Sequence, residues 1–447
     1  MPPCRANNTG KSISRRDFLW MSSMSAAGLV AGCATNPVTG KSQLMLMSED
    51  QEIQTDKQQS PHQFSADYGP VQDSGLNNYL QQTGKRMAAH THRPQMPYSF
   101  RAVNATYVNA YAFPGGSIAA TRGILISLDN EAELAALLGH ELGHVNARHT
   151  AEQMSKGTLT QLVLLGATIA ASTQGEGWGQ LAQVAGAIGG SALLAKYSRD
   201  HERQADALGM EYMVRNGYSP RGMIDLMGVL KGLSKHKPGL SQVLFASHPM
   251  GSERYDTAVQ RAHAKYAAAL KNPIYRDRYM DHTVRLRKIK GAIETMQKSE
   301  VAMARKKYPE AEEDLKNALT QVPNDYAGLL MMSKCLLAQN KNRQAKRFAD
   351  KAKQVYPQEA QARHVSGVAA IRLKRFNEAL RDFDQYEKLL PGNPTTGFFK
   401  GLAFEGMHQR QAAARSYGRY LQQIKQGNMA RHAYQRLNQW GYIRKKQ

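Results

Sequence analysis

EAELAALLGHELGHV, residues 131–145, contains two histidines four positions apart, with a glutamate directly after the first. On a helix, His140 and His144 lie on one face, where two imidazoles can bind one Zn²⁺. Glu141 lies beside them and can take a proton from a water molecule that the metal ion activates. The pattern therefore predicts a helical metal site and metal-assisted hydrolysis of a peptide bond.

The residues around this motif favour a buried helix. Ser127, Asp129 or Asn130 can cap its N-terminus, and several leucines supply an apolar side. Gly139 and Gly143 flank the histidines, although each glycine weakens a helix by up to about 1 kcal/mol relative to alanine. Close packing near a metal ion explains these glycines better than helix stability does. The alternative, a solvated helix with two surface histidines, fits the apolar run poorly.

A catalytic zinc site needs a third protein ligand, and Glu202 is the best candidate. It belongs to RDHERQAD, residues 199–206, in which Glu202 and Asp206 are one helical turn apart. Glu202 can bind the metal ion while Asp206 accepts the outer N–H of a liganding histidine. The alternative interpretation is an ordinary charged helix face.

With these motifs the chain resembles the gluzincin zinc metallopeptidases that include HtpX and the CAAX prenyl proteases. Within that family it is similar to the periplasmic BepA type, which joins a protease domain to tetratricopeptide repeats. Two further segments carry the resemblance: NAYAFPGG, residues 109–116, and SHP, residues 247–249, followed by Arg254. The family relationship implies that Arg254 supports the metal site.

The resemblance also implies a role for each motif residue. His140, His144 and Glu202 would bind one zinc ion per chain, and Glu141 would be the general base. His248 would lie near the metal ion, where it either occupies the open position and holds the enzyme inactive or helps to stabilise the oxyanion. From the residues alone, His248 is a histidine before a proline in a loop, and a structural role stays open.

The segment Gly115–Ser127 reads as a β-strand, because apolar residues alternate with smaller or polar ones. As an edge strand beside the zinc ion, it could bind an extended substrate by strand addition. Main-chain hydrogen bonds recognise any unfolded polypeptide, so we expect broad specificity for disordered segments. The alternative is a core strand before a helix.

The length of 447 residues predicts two or three domains. Of the formal net charge of +23, most lies in residues 271–447, which carry 35 Lys and Arg against 16 Asp and Glu. A basic surface favours acidic partners or anionic lipid, and no nucleic-acid motif is present. A merely solvated basic surface is the alternative.

Of the three cysteines, Cys4 lies in the presumed leader and Cys33 at a lipid site. Cys335 is then the one ordinary thiol, so no disulfide is expected.

The N-terminus resembles a bacterial export signal. SRRDFL, residues 14–19, matches a twin-arginine motif, and a short, weakly apolar stretch follows it. VAGC, residues 30–33, looks like a lipobox, which predicts a signal peptide over residues 1–32 and a lipid on Cys33. Ala34 favours the outer membrane as the address. A general secretory signal that happens to contain two arginines is the alternative.

Beyond roughly residue 290 the sequence repeats with a period of 34, as in Pro323, Pro357 and Pro391. This is the tetratricopeptide period, and four copies fit.

Two apolar patches, residues 159–171 and 181–195, are too short to span a bilayer and indicate a packed hairpin or a lid.

The expected fold is α+β and mainly helical, a gluzincin metalloprotease domain with a small sheet followed by an α-solenoid of tetratricopeptide repeats. The predicted divisions after the signal peptide are a lipidated N-terminus and linker at 33–60, the metallopeptidase domain at 61–270, a linker helix at 271–291, the repeats at 292–427, and a capping helix with a basic tail at 428–447.

Together these features predict a zinc endopeptidase, lipid-anchored in the periplasm, that degrades misfolded or stalled outer-membrane proteins. Its repeats would recruit substrates or the outer-membrane assembly machinery. The alternative is a chaperone or assembly scaffold that acts through its repeats, with a self-inhibited protease site.

Overall fold

The computed structural model describes residues 33–157, 197–236, 242–249 and 251–443. The fold is mainly helical, with two small sheets in the N-terminal half and paired helices in the C-terminal half. This architecture confirms the predicted fold class. The predicted signal peptide, both apolar patches and the end of the basic tail lie outside the described residues. None of the described helices is long and apolar enough to cross a membrane.

Five strands form the two sheets. Strands β1 (Cys33–Thr35) and β2 (Ser42–Leu44) form an antiparallel hairpin. The second sheet has the order β3-β5-β4, with β3 parallel and β4 antiparallel to β5. Its strands are β3 (Ser99–Val103), β4 (Ala110–Ala112) and β5 (Ser117–Thr121).

The strand predicted over Gly115–Ser127 is shorter than expected and is not an edge strand. It ends at Thr121, whose hydroxyl accepts the N–H of Ile124 and so caps a short helix, α1 (Arg122–Leu125). It also lies at the centre of its sheet, because β3 and β4 pair with it on both sides. Val71 donates to the carbonyl oxygen of Ala102 on the outer side of β3, so the edge on the β4 side is the one left for strand addition.

Besides residues 149–157, which are helical, eight further helices of the N-terminal half lie wholly within the described residues. They are α2 (Glu49–Ala66), α3 (Ser74–Ala88), α4 (Glu131–Asn146), α5 (Arg199–Arg215), α6 (Arg221–His236), α7 (Gln242–Ser247), α8 (Ser252–Lys265) and α9 (Arg276–Lys288). Every residue of α4 is buried, since α3, α5, α6 and β4 all pack against it. A helix that is buried on all sides needs apolar or hydrogen-bonded residues all round, which its sequence supplies.

The segment predicted as a lipidated N-terminus and linker, residues 33–60, contains the β1–β2 hairpin and most of α2. Ser48 and Gln51 form a reciprocal capping box at the start of α2. Glu52 of this helix is buried and forms ion pairs with Arg93 at 2.6 Å and Arg148 at 2.9 Å. Local sequence patterns did not predict these contacts, because they are ion pairs with residues far away in the chain.

The C-terminal half is a stack of helix pairs. They are α10 (Lys290–Ala304) with α11 (Tyr308–Gln321), α12 (Tyr326–Ala338) with α13 (Asn342–Val355), α14 (Gln361–Arg372) with α15 (Phe376–Leu389), α16 (Pro394–Gly406) with α17 (Arg410–Gln423), and a final helix α18 (Asn428–Gln439).

The 34-residue period is visible in the backbone as well as in the core. Within each pair the turn has one residue with positive φ, between 58° and 61°, at Lys306, Asn340, Lys374 and His408. These positions are 34 residues apart. The alanines of the period, Ala311, Ala345, Ala379 and Ala413, are fully buried. Each repeat therefore uses the same turn and the same small contact residue.

The first repeats pack directly on the N-terminal half. Arg122 and Asp325 form a buried bidentate ion pair, with N–O distances of 2.5 and 3.0 Å. The Gln297 amide donates to the carbonyl oxygen of Thr106 at 2.7 Å. The first repeats thus stabilise the region around β4 and β5, and they also present a surface of their own.

Candidate metal centre

Local sequence explains why α4 begins where it does. The Asn130 side chain accepts the N–H of Glu133, and the Glu133 carboxylate accepts the N–H of Asp129 at 2.7 Å. Of the three possible N-caps, Asn130 is therefore the one used. From this start the 3.6-residue period places His140 and His144 on one face of α4.

Glycines let α4 and α5 cross at close range. A Cβ atom added to Gly139 would lie 2.8 Å from the Gly209 carbonyl oxygen, and one added to Gly143 would lie 3.0 Å from Ala205. These contacts confirm that the flanking glycines serve close packing. They bring α5, which begins at the Ser198 cap, against the histidine face of α4.

The crossing places three imidazoles and a carboxylate together. One ligand atom each from His140, His144, Glu202 and His248 lies within 4.8 Å of every other. The two Nε2 atoms of His140 and His144 are 3.0 Å apart, and His248 Nδ1 is 3.0 Å from Glu202 Oε1. All four side chains are buried. Nitrogen and carboxylate donors converging in this way suit a metal ion of the zinc type.

Glu141 supports the same interpretation. Its side chain is buried, and its Oε2 atom has no hydrogen-bond partner among the described residues. A buried carboxylate oxygen without a partner is costly unless another group binds there. The donor set and this free oxygen together fit a metal ion with a water molecule beside it.

Asp206 and Arg254 hold the ligands from behind. Asp206 Oδ1 is 2.9 Å from His140 Nδ1, so it can accept the outer N–H of that ring. Arg254 reaches both carboxylates, with contacts of 2.7 Å to Asp206 Oδ1 and 2.7 Å to Glu202 Oε2. Each of the predicted site residues therefore lies within one connected cluster.

Three residues of the centre escaped the sequence analysis. His149 Nδ1 is 3.0 Å from His144 Nδ1, and its Nε2 is 3.0 Å from Gln204 Oε1. Tyr197 stacks on His144, with ring centroids 3.9 Å apart. No spacing rule points to His149, because α4 has ended by then and Arg148 adopts a positive φ of 59°.

The electrostatics follow from burial and from these neighbours. Burial raises the pKa of Glu141 and lowers the pKa of His144 well below its usual value. Burial alone would also raise the pKa of Glu202, but His248 and the other nearby imidazoles hold it well below the ordinary value. A neutral His144 and an ionised Glu202 are the forms that bind metal ions.

A small cavity opens beside the cluster. Its walls include His140, Glu141 and His248, together with Ala110 of β4 and apolar residues of α6 and α7. In the β4–β5 hairpin, the N–H of Phe113 donates to the carbonyl oxygen of Ser117, and the N–H of Thr121 donates to that of Asn109. Along an antiparallel strand, residues alternate between those that bond to the partner strand and those that do not. The N–H and C=O groups of Ala110 and Ala112 therefore point away from β5. The outer edge of β4 thus borders the cavity.

Comparisons with known proteins agree with this geometry. Residues 74–262 match the profile of Peptidase family M48, and residues 302–368 match a tetratricopeptide repeat profile. The chain is 31% identical over 198 residues to the beta-barrel assembly-enhancing protease of Yersinia pestis, covering 43% of this chain and 40% of that protein.

Two relatives come from Escherichia coli (strain K12). Its beta-barrel assembly-enhancing protease is 26% identical over 197 residues, which cover 43% of this chain and 40% of that protein. Its metalloprotease YcaL is 31% identical over 159 residues, covering 35% and 59%. The matched region thus spans about 40% of the length of the assembly-enhancing proteases.

Proposed function

Because the chain carries a peptidase family M48 domain followed by tetratricopeptide repeats, we propose that it is a zinc endopeptidase. One observation carries the proposal: His140, His144 and Glu202 converge in a buried centre beside a Glu141 oxygen without a partner. Two imidazoles and one carboxylate are the ligand set of many catalytic zinc sites, which keep a position open for water or substrate.

When bound, the metal ion would polarise the scissile carbonyl and lower the pKa of a water molecule. Glu141 takes the proton of that water on Oε2 and passes it to the leaving amine. Asp206 keeps His140 in the orientation and tautomer that present Nε2 to the centre. Arg254 neutralises the paired carboxylates behind it.

The edge of β4 is the proposed binding site for the substrate backbone. An extended polypeptide can add to it as a further strand through the outward-facing groups of Ala110 and Ala112. Such binding reads the main chain and little of the side chains, which favours unfolded segments. We therefore expect folded proteins not to be cleaved.

We further propose that the substrates are misfolded or stalled outer-membrane proteins in the periplasm, and that the repeats contact the assembly machinery. The names of the relatives, beta-barrel assembly-enhancing proteases, support this assignment. The predicted signal peptide and the lipid on Cys33 would place the protein at the outer membrane.

The test is casein cleavage by the purified chain, with zinc content measured on the same samples. We expect one zinc ion per chain and cleavage that stops with a chelator and returns with added Zn²⁺. Glu141→Gln should retain zinc and lose at least about 10³-fold of the activity, since it removes the general base from a metal-assisted hydrolysis. Cleavage that survives in this variant would refute the proposed mechanism.

A second candidate function is a scaffold with a self-restrained peptidase. The observation that favours it is the position of His248, whose Nδ1 lies 3.4 Å from His140 Nε2 within the ligand cluster. A fourth protein ligand would compete with water for the metal ion. His248→Ala should then raise casein cleavage, whereas a role at the oxyanion requires the same variant to lower it.

A further inference from the structure

A groove of about 930 Å³ lies between the peptidase domain and the repeats. It opens on the face of the sheet that carries Arg101 and Ala119, whereas the neighbouring residues Phe100 and Ile118 point into the main core with α4. The groove is therefore separate from the metal centre. Its far wall is formed by Glu359 and by the end of α15.

Arg101 is the unusual residue of this groove. Its Nε atom is buried without a hydrogen-bond partner, and its closest polar contact is 3.5 Å long, to the Ser99 hydroxyl. Among the described residues, no carboxylate lies within ion-pair distance of its guanidinium. The Cζ atom of the group lies over the Phe64 ring, 4.7 Å from the ring centroid.

Other buried arginines of the chain behave differently. Burial tends to lower the pKa of Arg93 and of Arg254, but the carboxylates paired with them raise it above the ordinary value. For Arg101, burial lowers the pKa, and the more distant Asp56 does not offset it. Among the described residues, the positive charge of Arg101 thus has no carboxylate paired with it.

The acidic side chains of the groove are already engaged. Asp56 accepts the backbone N–H of Ser117 at 2.8 Å. Glu359 accepts hydrogen bonds from the hydroxyls of Ser65 and Tyr326 and from the backbone N–H of Gln361. The charged groups of the groove that remain free to bind a ligand are therefore cationic. They are Arg101 and the exposed Lys57, which also lines the groove.

We propose that this groove binds a carboxylate group on an extended polypeptide. A guanidinium fork matches a carboxylate with two parallel hydrogen bonds. A doubly charged phosphate fits less well, because Asp56 and Glu359 would repel it. Leu389, which is 40% exposed, offers an apolar contact for the neighbouring side chain of the ligand.

One aromatic contact links the groove to β4. Phe64, which lies under Arg101, stacks on Tyr111 of β4 at 6.4 Å. Arg101 itself lies on β3, which β5 separates from β4, so a polypeptide held there would lie across the sheet from the β4 edge. The inference rests on the proposed function only for the polypeptide nature of the ligand.

Fluorescence anisotropy with the full chain carrying Glu141→Gln tests the proposal without cleavage. The probes are three forms of the peptide Gly-Ala-Leu-Ala-Leu-Ala, labelled at the N-terminus with an uncharged BODIPY dye: the free acid, the C-terminal amide, and an amide with Glu in place of the central Ala. We expect at least one carboxylate-bearing form to bind about tenfold or more tightly than the neutral amide. The form that binds identifies the carboxylate as terminal or side-chain.

Arg101→Gln should remove this preference, and Arg101→Lys should retain only part of it because the fork is lost. Arg343→Gln makes the same change of charge at an exposed position of the repeats and should leave binding unchanged. Equal binding of the neutral amide, or unchanged binding by a folded Arg101→Gln, would overturn the proposal. A wild-type chain that cleaves no casein would refute only the peptidase function, since binding is measured separately.

Discussion

His149 is not one of the proposed metal ligands, but it contacts one of them, His144, and sets the orientation of its ring. His144 directs Nε2 towards the cluster, so its Nδ1 must carry the proton that is shared with His149 Nδ1 at 3.0 Å. The Nε2–H of His149 then donates to Gln204. One tautomer of each ring is consistent with this chain of contacts, which makes His149 a positioning residue for His144.

Replacing His149 by alanine should weaken zinc binding by about 10- to 100-fold, the usual effect of removing such a partner. His149→Gln can still accept from His144 Nδ1 and should restore part of the affinity. Competition with a chromogenic chelator measures the change. His263→Ala, at an exposed position of α8, is the control. An unchanged zinc affinity in His149→Ala would remove its positioning role.

Glu133 predicts a pH dependence of stability. Burial raises the pKa of its carboxyl to about 7, from 4.5. The folded state therefore binds this proton more tightly than the unfolded state does, so the stabilisation is complete below pH 4.5 and is lost as the pH rises through 7. The contribution amounts to at most about 3 kcal/mol.

Urea denaturation between pH 4.5 and 8 measures this effect. We expect the wild-type free energy of unfolding to fall with pH more steeply than that of Glu133→Gln, which cannot titrate. Glu310→Gln changes an exposed glutamate and should keep the wild-type slope. Parallel curves for wild type and Glu133→Gln would contradict the assignment.

At the scale of elements, the crossing of α4 and α5 decides whether the ligands meet. The Gly143 position leaves 3.0 Å for a Cβ atom against the Ala205 backbone, which cannot move without shifting Glu202. The two helices carry all three proposed zinc ligands. Their separation is therefore coupled directly to the shape of the centre.

Gly143→Ala should destabilise the protein by about 1–3 kcal/mol through overpacking and should also lower zinc affinity. Gly232→Ala is the matched control, since it lies within α6 with nothing near its Cβ position. There, alanine should be neutral or stabilising by up to about 1 kcal/mol. Thermal unfolding and zinc titration measure both properties. Equal behaviour of the two variants would show that the crossing tolerates a wider gap.

At the scale of the whole molecule, the repeats and the peptidase domain are joined through Arg122 and Asp325. Both side chains are buried, and Arg122 keeps the pKa of Asp325 below its ordinary value despite burial, which would raise it. Arg122 follows directly after β5, so this ion pair ties the repeats to the sheet beside the metal centre.

Arg122→Ala should destabilise the protein by about 3–5 kcal/mol, because it leaves a buried carboxylate unpaired. The double variant Arg122→Met, Asp325→Leu should recover most of this loss. Chemical denaturation gives the magnitudes, and limited proteolysis shows whether the repeats become separable. A double variant as unstable as Arg122→Ala would mean that the ion pair itself, and not an unpaired charge, is responsible.

The sequence by itself determined the features that depend on short, regular spacing. His140 and His144 had to share a face once α4 was helical, and the 34-residue period had to produce repeating helix pairs. Gly139 and Gly143 indicated the close crossing before α5 was known. The family resemblance added His248 and Arg254, which no local pattern identifies.

Only the tertiary structure decided which distant segments meet. It placed β5 at the centre of its sheet and β4 at an edge, because β3 pairs with the other side of β5. It brought His149 behind His144, turned the supposed linker into α2, and left Arg101 without a carboxylate between two domains. These contacts arise from packing between residues far apart in the chain, which spacing rules cannot reach.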